Sequence, residues 1–237
     1  MRTVRRATCL GASGTPVTLG FLSLSAGLGS SGWVVGLLAG WALTALVVVG
    51  RIRSGDRAVL PADWVTLTRA LLSAGVAALV ADSAGGSLTV GPLITLATAA
   101  LLLDAVDGQV ARGTGTATPF GARLDGEVDA FLILVLSVAV SRDLGRWVLA
   151  IGAARYVLLV AGWAARWLAA PLPPRYWRKV VTAVQGVALT LAASGLVPEL
   201  AGVLVGVALV LLVESFGRDM VWLALRSRAR RVEVGAP

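Results

Sequence analysis

Histidine is absent from this chain of 237 residues, and cysteine occurs once, at Cys9. The first absence removes imidazole from acid–base catalysis and from metal ligation, and the second excludes an intrachain disulfide. Proton and metal chemistry must therefore fall to carboxylates, Lys or Tyr. Charge is scarce as well. Only 14% of residues are charged and 57% are hydrophobic, with a mean hydropathy of +0.84, whereas a soluble domain carries roughly a quarter charged residues. The composition is that of an integral membrane protein.

Acidic residues are the rarer sign, 13 against 21 Lys and Arg, for a formal charge of +8. A basic balance can mark a nucleic-acid binder. Here the Arg residues stand in short runs beside apolar stretches and form no continuous basic face, so they set membrane orientation and no nucleic-acid partner is expected.

What the chain has in abundance is long apolar runs. Thr8 to Gly50 carries no charge; as a helix it would be about 64 Å long, roughly twice the hydrocarbon core, so two spans fit with a turn at Gly27 to Gly32. The basic start resembles a signal peptide, but the apolar stretch continues too far, and a retained anchor is expected. Further runs at about 64 to 81, 88 to 110, 119 to 140, 147 to 167, 180 to 197 and 200 to 222 bring the total to eight spans. The fold class is thus an all-α integral membrane protein.

Basic clusters at Arg2, Arg5 and Arg6, at Arg51, Arg53 and Arg57, at Arg166 to Lys179, and at Arg226 to Arg231 alternate with weakly charged loops. They place both termini in the cytoplasm of a multi-pass protein of the cell membrane. Arg142 and Arg146 stand against this pattern. Six of the eight Trp lie near span ends, as an interfacial belt requires. Gly36/Gly40 and Gly202/Gly206 are small-residue pairs suited to helix contacts or to a homodimer face.

Between Asp104 and Asp129 the chain reads DAVDGQVARGTGTATPFGARLDGEVD. This is DxxDGxxAR, eight residues, then GxxxDxxxD, a chance match on the order of 10^-9 in any one register. Asp104, Asp107, Gly108 and Ala111 fall on one helical stripe, and Gly121, Asp125 and Asp129 on another. Gly113 to Thr118 is a turn, and if the two helices pack as a hairpin the four carboxylates converge in one pocket near the cytoplasmic surface. Carboxylates crowded there need cations, and oxygen-only ligands select a hard one, Mg2+ or Mn2+, as a single ion or a pair. Arg112 offers a planar fork for phosphate. Structural salt bridges of these acids with Arg112 and Arg123 are the plainer alternative, but five acids against two Arg leave the window net negative by three.

These residues resemble the signature of the CDP-alcohol phosphatidyltransferases, membrane enzymes of phospholipid synthesis. The resemblance implies a six-helix core at about residues 62–223. It is preceded by an N-terminal transmembrane hairpin and juxtamembrane segment at 1–61 and followed by a basic cytoplasmic tail at 224–237. It implies two Mg2+ ions, with Asp104, Asp107, Asp125 and Asp129 as metal ligands and Asp129 as the base that deprotonates an acceptor alcohol. It implies further that Gly108, Ala111, Arg112 and Gly121 shape the site for the CDP-linked lipid donor, and that membrane lipids surround the protein.

A second stretch, PADWVTLTR at Pro61 to Arg69, is similar to the family's PNxLTxxR and adds Thr66 and Arg69 as donor-binding residues. Its alternative is Asp63 as a helix N-cap with Arg69 snorkelling to the interface. A third, KVVTAVQ, resembles a stretch of the phosphatidylglycerophosphate and cardiolipin synthase branches. It offers Lys179, Thr182 and Gln185 on one face for an acceptor such as glycerol 3-phosphate or phosphatidylglycerol. Arg155, in mid-span, would serve an acceptor phosphate, including that of an inositol phosphate. From another class, clustered intramembrane acids also suit a divalent-cation transporter or a membrane scaffold. Glu214 and Arg218, four apart, are expected to pair structurally.

Overall fold

The structure, a computed structural model, describes the backbone of residues 2–53, 61–113, 119–165 and 176–234, and the side chains of 11–50, 52, 63–106, 121–165 and 176–227. All regular structure among them is helical: α1 (Arg2–Ala26), α2 (Ser30–Arg53), α3 (Pro61–Asp82), α4 (Val90–Gly113), α5 (Pro119–Leu144), α6 (Leu149–Ala164), α7 (Tyr176–Ser194) and α8 (Pro198–Val234), with short 3-10 turns at Ser83–Gly85 and Arg146–Val148. Each of the eight apolar runs is one helix.

Among the described residues, four stretches are long and apolar enough to cross a membrane: Ser30–Gly50, Asp63–Gly85, Arg146–Ala164 and Pro198–Ser227. Asp residues on α4 and α5 are costly within a membrane unless neighbours compensate them. One boundary differs from expectation. The basic tail is the continuation of α8, which runs to Val234. No Gly or Pro stands between Met220 and Val234 to stop it, and hydropathy marks where the membrane ends, not where a helix does.

The helices form two compact units, Met1–Ala139 and Val140–Pro237, and α5 runs from the first into the second. In the first unit α3 is the central helix. Its residues 73–80 are buried without a break, as befits a helix apolar on all sides. Ala70, Ala74, Gly75, Ala77 and Ala78 keep its surface low and let neighbours approach closely.

α1 and α2 pair antiparallel, with Gly40 set against Thr15 and Gly36 against Leu19. Gly27 turns the chain between them in the left-handed region, at φ 68°. Asp82, at the far end of α3, accepts hydrogen bonds from the Gly29 N–H (3.0 Å) and the Ser31 hydroxyl (3.1 Å), tying that turn to the central helix. The N-terminal hairpin is therefore packed into the same unit as α3. Its Gly36/Gly40 face is taken up by α1 and by Ala78 of α3, which removes it as a homodimer face.

The clusters Val47, Leu67, Leu124 and Leu43, Ala70, Val128 join α2, α3 and α5. Residues ascend together along α3 and α5, so these two helices run parallel, and α2 runs against both. The end of the unit where they begin is the end where α2 delivers Arg51 and Arg53.

In the second unit α7 and α8 form an antiparallel hairpin around Gly195, at φ 67°. Trp177 Nε1 donates to Glu214 Oε2 at 2.9 Å. Arg178 pairs with Asp219 at 3.4 Å, and Glu214 pairs with Arg218 as expected.

Candidate active site

Among the described residues of the first unit, Arg69 is the largest side chain with almost no exposure, 1%. It lies on α3 between Leu67 and Ala70, both held in the clusters that dock α5. On α5 the residues that make those clusters are Leu124 and Val128, immediately before Asp125 and Asp129. Docking one pair of apolar residues therefore turns the next pair, one helical turn apart, to a single side. The Arg69 guanidinium meets them there. Nη1 donates to Asp125 Oδ1 and Nη2 donates to Asp129 Oδ1. From α4, Asp104 Oδ1 stands 3.0 Å from Nη1.

Three carboxylates from two helices thus converge on one guanidinium supplied by a third. All three are partly buried, and one oxygen from each lies within 4.8 Å of the others. The donor set fits a hard divalent cation. It is all oxygen, and opposite ligands of an octahedral ion at about 2.1 Å are roughly 4.2 Å apart. These carboxylates carry three formal negative charges and the guanidinium one positive charge, a balance to which a divalent ion is suited. Asp104, Asp125 and Asp129 would hold it, and among the described residues no nitrogen or sulfur ligand joins them.

The expected convergence of acids from α4 and α5 is found for Asp104, Asp125 and Asp129, with a partner that sequence proximity concealed. Among the described residues the acids pair with Arg69, and Arg123 is exposed. Arg69 does not snorkel: its guanidinium is turned inward among the acids. Asp63 is not an N-cap either. It sits inside the first turn of α3, which begins at Pro61, where an acid suits the helix dipole. Thr66 is buried one turn before Arg69 on the same face, and Gly121 is half-buried one turn before Asp125. Asp107, Gly108, Ala111 and Arg112 are on α4, but their side chains lie outside the described residues.

The proposed acceptor residues all belong to the second unit. Arg155 is exposed on α6 and Lys179 is exposed on α7. Thr182 donates to the Arg178 carbonyl at 2.9 Å. Gln185 is 4% exposed, and its Nε2 has no hydrogen-bond partner. Lys179, Thr182 and Gln185 share the face of α7 that their spacing implies.

A family model described as CDP-alcohol phosphatidyltransferase matches residues 59–214, from the start of α3 into α8. Archaetidylinositol phosphate synthase of Methanothermobacter thermautotrophicus is 39% identical over 74 residues, which is 31% of this chain. The match spans about a third (35%) of the length of that relative. No solved structure matches. The family match covers well over half of the chain and contains the three converging carboxylates and Arg69, and on that ground the chain belongs to the CDP-alcohol phosphatidyltransferase family.

Proposed function

We propose that this protein transfers the substituted phosphate of a CDP-alcohol, such as CDP-diacylglycerol, to the hydroxyl of an acceptor alcohol and releases CMP. The observation that carries this reading is the convergence of Asp104, Asp125 and Asp129, all from the family's motif, within 4.8 Å of one another. Asp129 accepts the proton of the acceptor hydroxyl. The freed oxygen forms a bond to the phosphorus that bears the donor's alcohol, and the bond from that phosphorus to the oxygen bridging to CMP breaks. Arg69, Thr66 and Arg112 orient the donor's phosphates, and Gly108, Ala111 and Gly121 leave room for the nucleotide. One or two divalent cations, Mg2+ with Mn2+ as substitute, would neutralise the phosphate oxygens and the charge that grows on them. Asp104, Asp107, Asp125 and Asp129 are the residues that would hold them.

The acceptor is a phosphorylated polyol. Lys179, Thr182 and Gln185 support glycerol 3-phosphate or phosphatidylglycerol. An inositol phosphate is supported by the likeness to an archaetidylinositol phosphate synthase and by the added cation Arg155. The membrane is the cell membrane and the site faces the cytoplasm, because the carboxylates lie at the end of the unit where α2 delivers Arg51 and Arg53. Purified protein in lipid is to be incubated with CDP-diacylglycerol, Mg2+ and each acceptor in turn. CMP release that depends on both Mg2+ and one acceptor supports the reading. Metal flux through proteoliposomes without nucleotide turnover would instead establish a transporter.

A further inference from the structure

We propose that Arg69 is the site's built-in counter-cation. It holds the three carboxylates together when no divalent ion is bound, and it competes with that ion for the same oxygens. The inference rests on the divalent-cation reading above and gives Arg69 a role distinct from donor binding.

Three negative groups on α4 and α5 that converge inside a membrane protein repel one another and would splay or take up protons if nothing compensated them. The guanidinium supplies that compensation with both of its terminal nitrogens, reaching all three acids at once. A Lys at this place could not do so, since it offers a point charge and not a fork. The remaining nitrogen shows how the side chain is held. Nε of Arg69 is buried without a hydrogen-bond partner, and so is the hydroxyl of Ser73 one turn further along α3. Arg69 is therefore fastened only at the tips, by the carboxylate oxygens a cation would need. Entry of the ion must loosen those bonds, and withdrawal of the tips breaks no other hydrogen bond of the side chain. Arg69 is in this sense a positioning residue: it keeps α4 and α5 in metal-ready register and weakens metal affinity by occupying part of the ligand set.

The test uses full-length protein in detergent, stripped with EDTA, with Mn2+ as the probe. Free Mn2+ is followed by electron paramagnetic resonance, and unfolding of the metal-free protein is followed by thermal scans. Arg69→Gln is expected to bind Mn2+ on the order of tenfold more tightly, since a repelling unit charge in contact with the ligands is gone. Its metal-free form is expected to melt lower, and the rise on adding saturating Mn2+ to be larger than in wild type. Arg69→Lys is expected to lie between them, and it preserves the test should Arg69→Gln not fold. In Arg69→Ala, methylguanidinium is expected to raise the metal-free melting temperature and to weaken Mn2+ binding again, which a general packing defect would not reproduce. Mn2+ bound equally by wild type and variants, or more weakly by the variants, overturns this proposal alone. Mn2+ bound by none of them overturns the metal reading with it.

Discussion

Arg69 and Asp129 stand 60 positions apart in the chain and form a buried ion pair, Nη2 to Oδ1, across the parallel contact of α3 and α5. The pair ties the residue proposed as base to a cation that is 1% exposed. Its neighbours Ala70 and Val128 belong to one apolar cluster, so the packing of the helices and the placement of the charges are one event. Isosteric Asp→Asn changes leave that apolar cluster in place, so their effect on the chemistry can be measured apart from the packing.

Asp129→Asn preserves the shape of the side chain and removes its ability to take a proton. Release of CMP is expected to fall by about 10^2- to 10^4-fold, the usual contribution of a positioned base. Mn2+ binding should persist, because Asp104 and Asp125 remain. A variant with wild-type turnover would strip Asp129 of the role of base.

Asp104 and Asp125 are assigned to the metal and not to the proton. Asp104→Asn and Asp125→Asn are each expected to raise the Mg2+ concentration for half-maximal CMP release by about tenfold or more, since even outer-shell losses cost 10- to 100-fold. Excess Mg2+ should restore much of the rate. EDTA should abolish turnover in the wild type, and its removal with added Mn2+ should return it. An unchanged Mg2+ requirement in both variants would sever these acids from the metal.

The helices themselves were legible in the sequence, because each apolar run is bounded by Gly, Pro or charge. So were the two stripes of the Asp motif, which follow from helical phase alone. The identity of their partner was not. Phase tells which residues of one helix share a face but not which helix that face meets, and Arg123 was an obvious partner only because it is close in the chain. A signal was present nonetheless: α3 carries one cation in a long apolar stretch, on a face with Thr66 and Ser73, and a buried cation calls for anions. The length of α8 escaped for a different reason. Its last residues are charged but helix-forming, and hydropathy does not register helicity.

Two small-residue patterns that look alike in sequence should behave differently. A Cβ added at Gly36 would come within 2.9 Å of the Ala78 Cβ, whereas at Gly206 it would meet nothing within 4 Å. Gly36→Val is expected to destabilise the protein by about 1–3 kcal/mol, the usual range for overpacking. Gly206→Val should be close to neutral. Thermal unfolding of both in the same detergent decides the matter, and equal losses would mean that Gly206 is covered by a neighbour.

Asp82 offers a test of the N-terminal hairpin away from the chemistry. It receives the Gly29 N–H and the Ser31 hydroxyl, and Asp82→Ala removes both bonds. A loss of about 1–2 kcal/mol is expected for a carboxylate partly open to solvent. CMP release at low temperature should be unchanged, because Asp82 lies at the opposite end of α3 from Arg69. A large fall in turnover without a fall in melting temperature would show that the hairpin communicates with the site.

The acceptor assignment turns on the face of α7 that carries Lys179, Thr182 and Gln185. If Lys179 meets the acceptor's phosphate, Lys179→Ala removes one charge-assisted bond of about 1.5–3 kcal/mol. The acceptor KM should then rise by about 10- to 100-fold while the donor KM stays put. Gln185 gives the sharper contrast. Its Nε2 is buried and has no partner, so for stability alone Gln185→Met should be neutral or favourable, since an unsatisfied amide is replaced by an apolar chain of similar length. A stabler variant with a raised acceptor KM would mean that Gln185 is kept for the acceptor. A stabler variant with unchanged kinetics would leave Gln185 outside the site and move the acceptor's phosphate to Arg155, where Arg155→Gln would then have to raise the same KM.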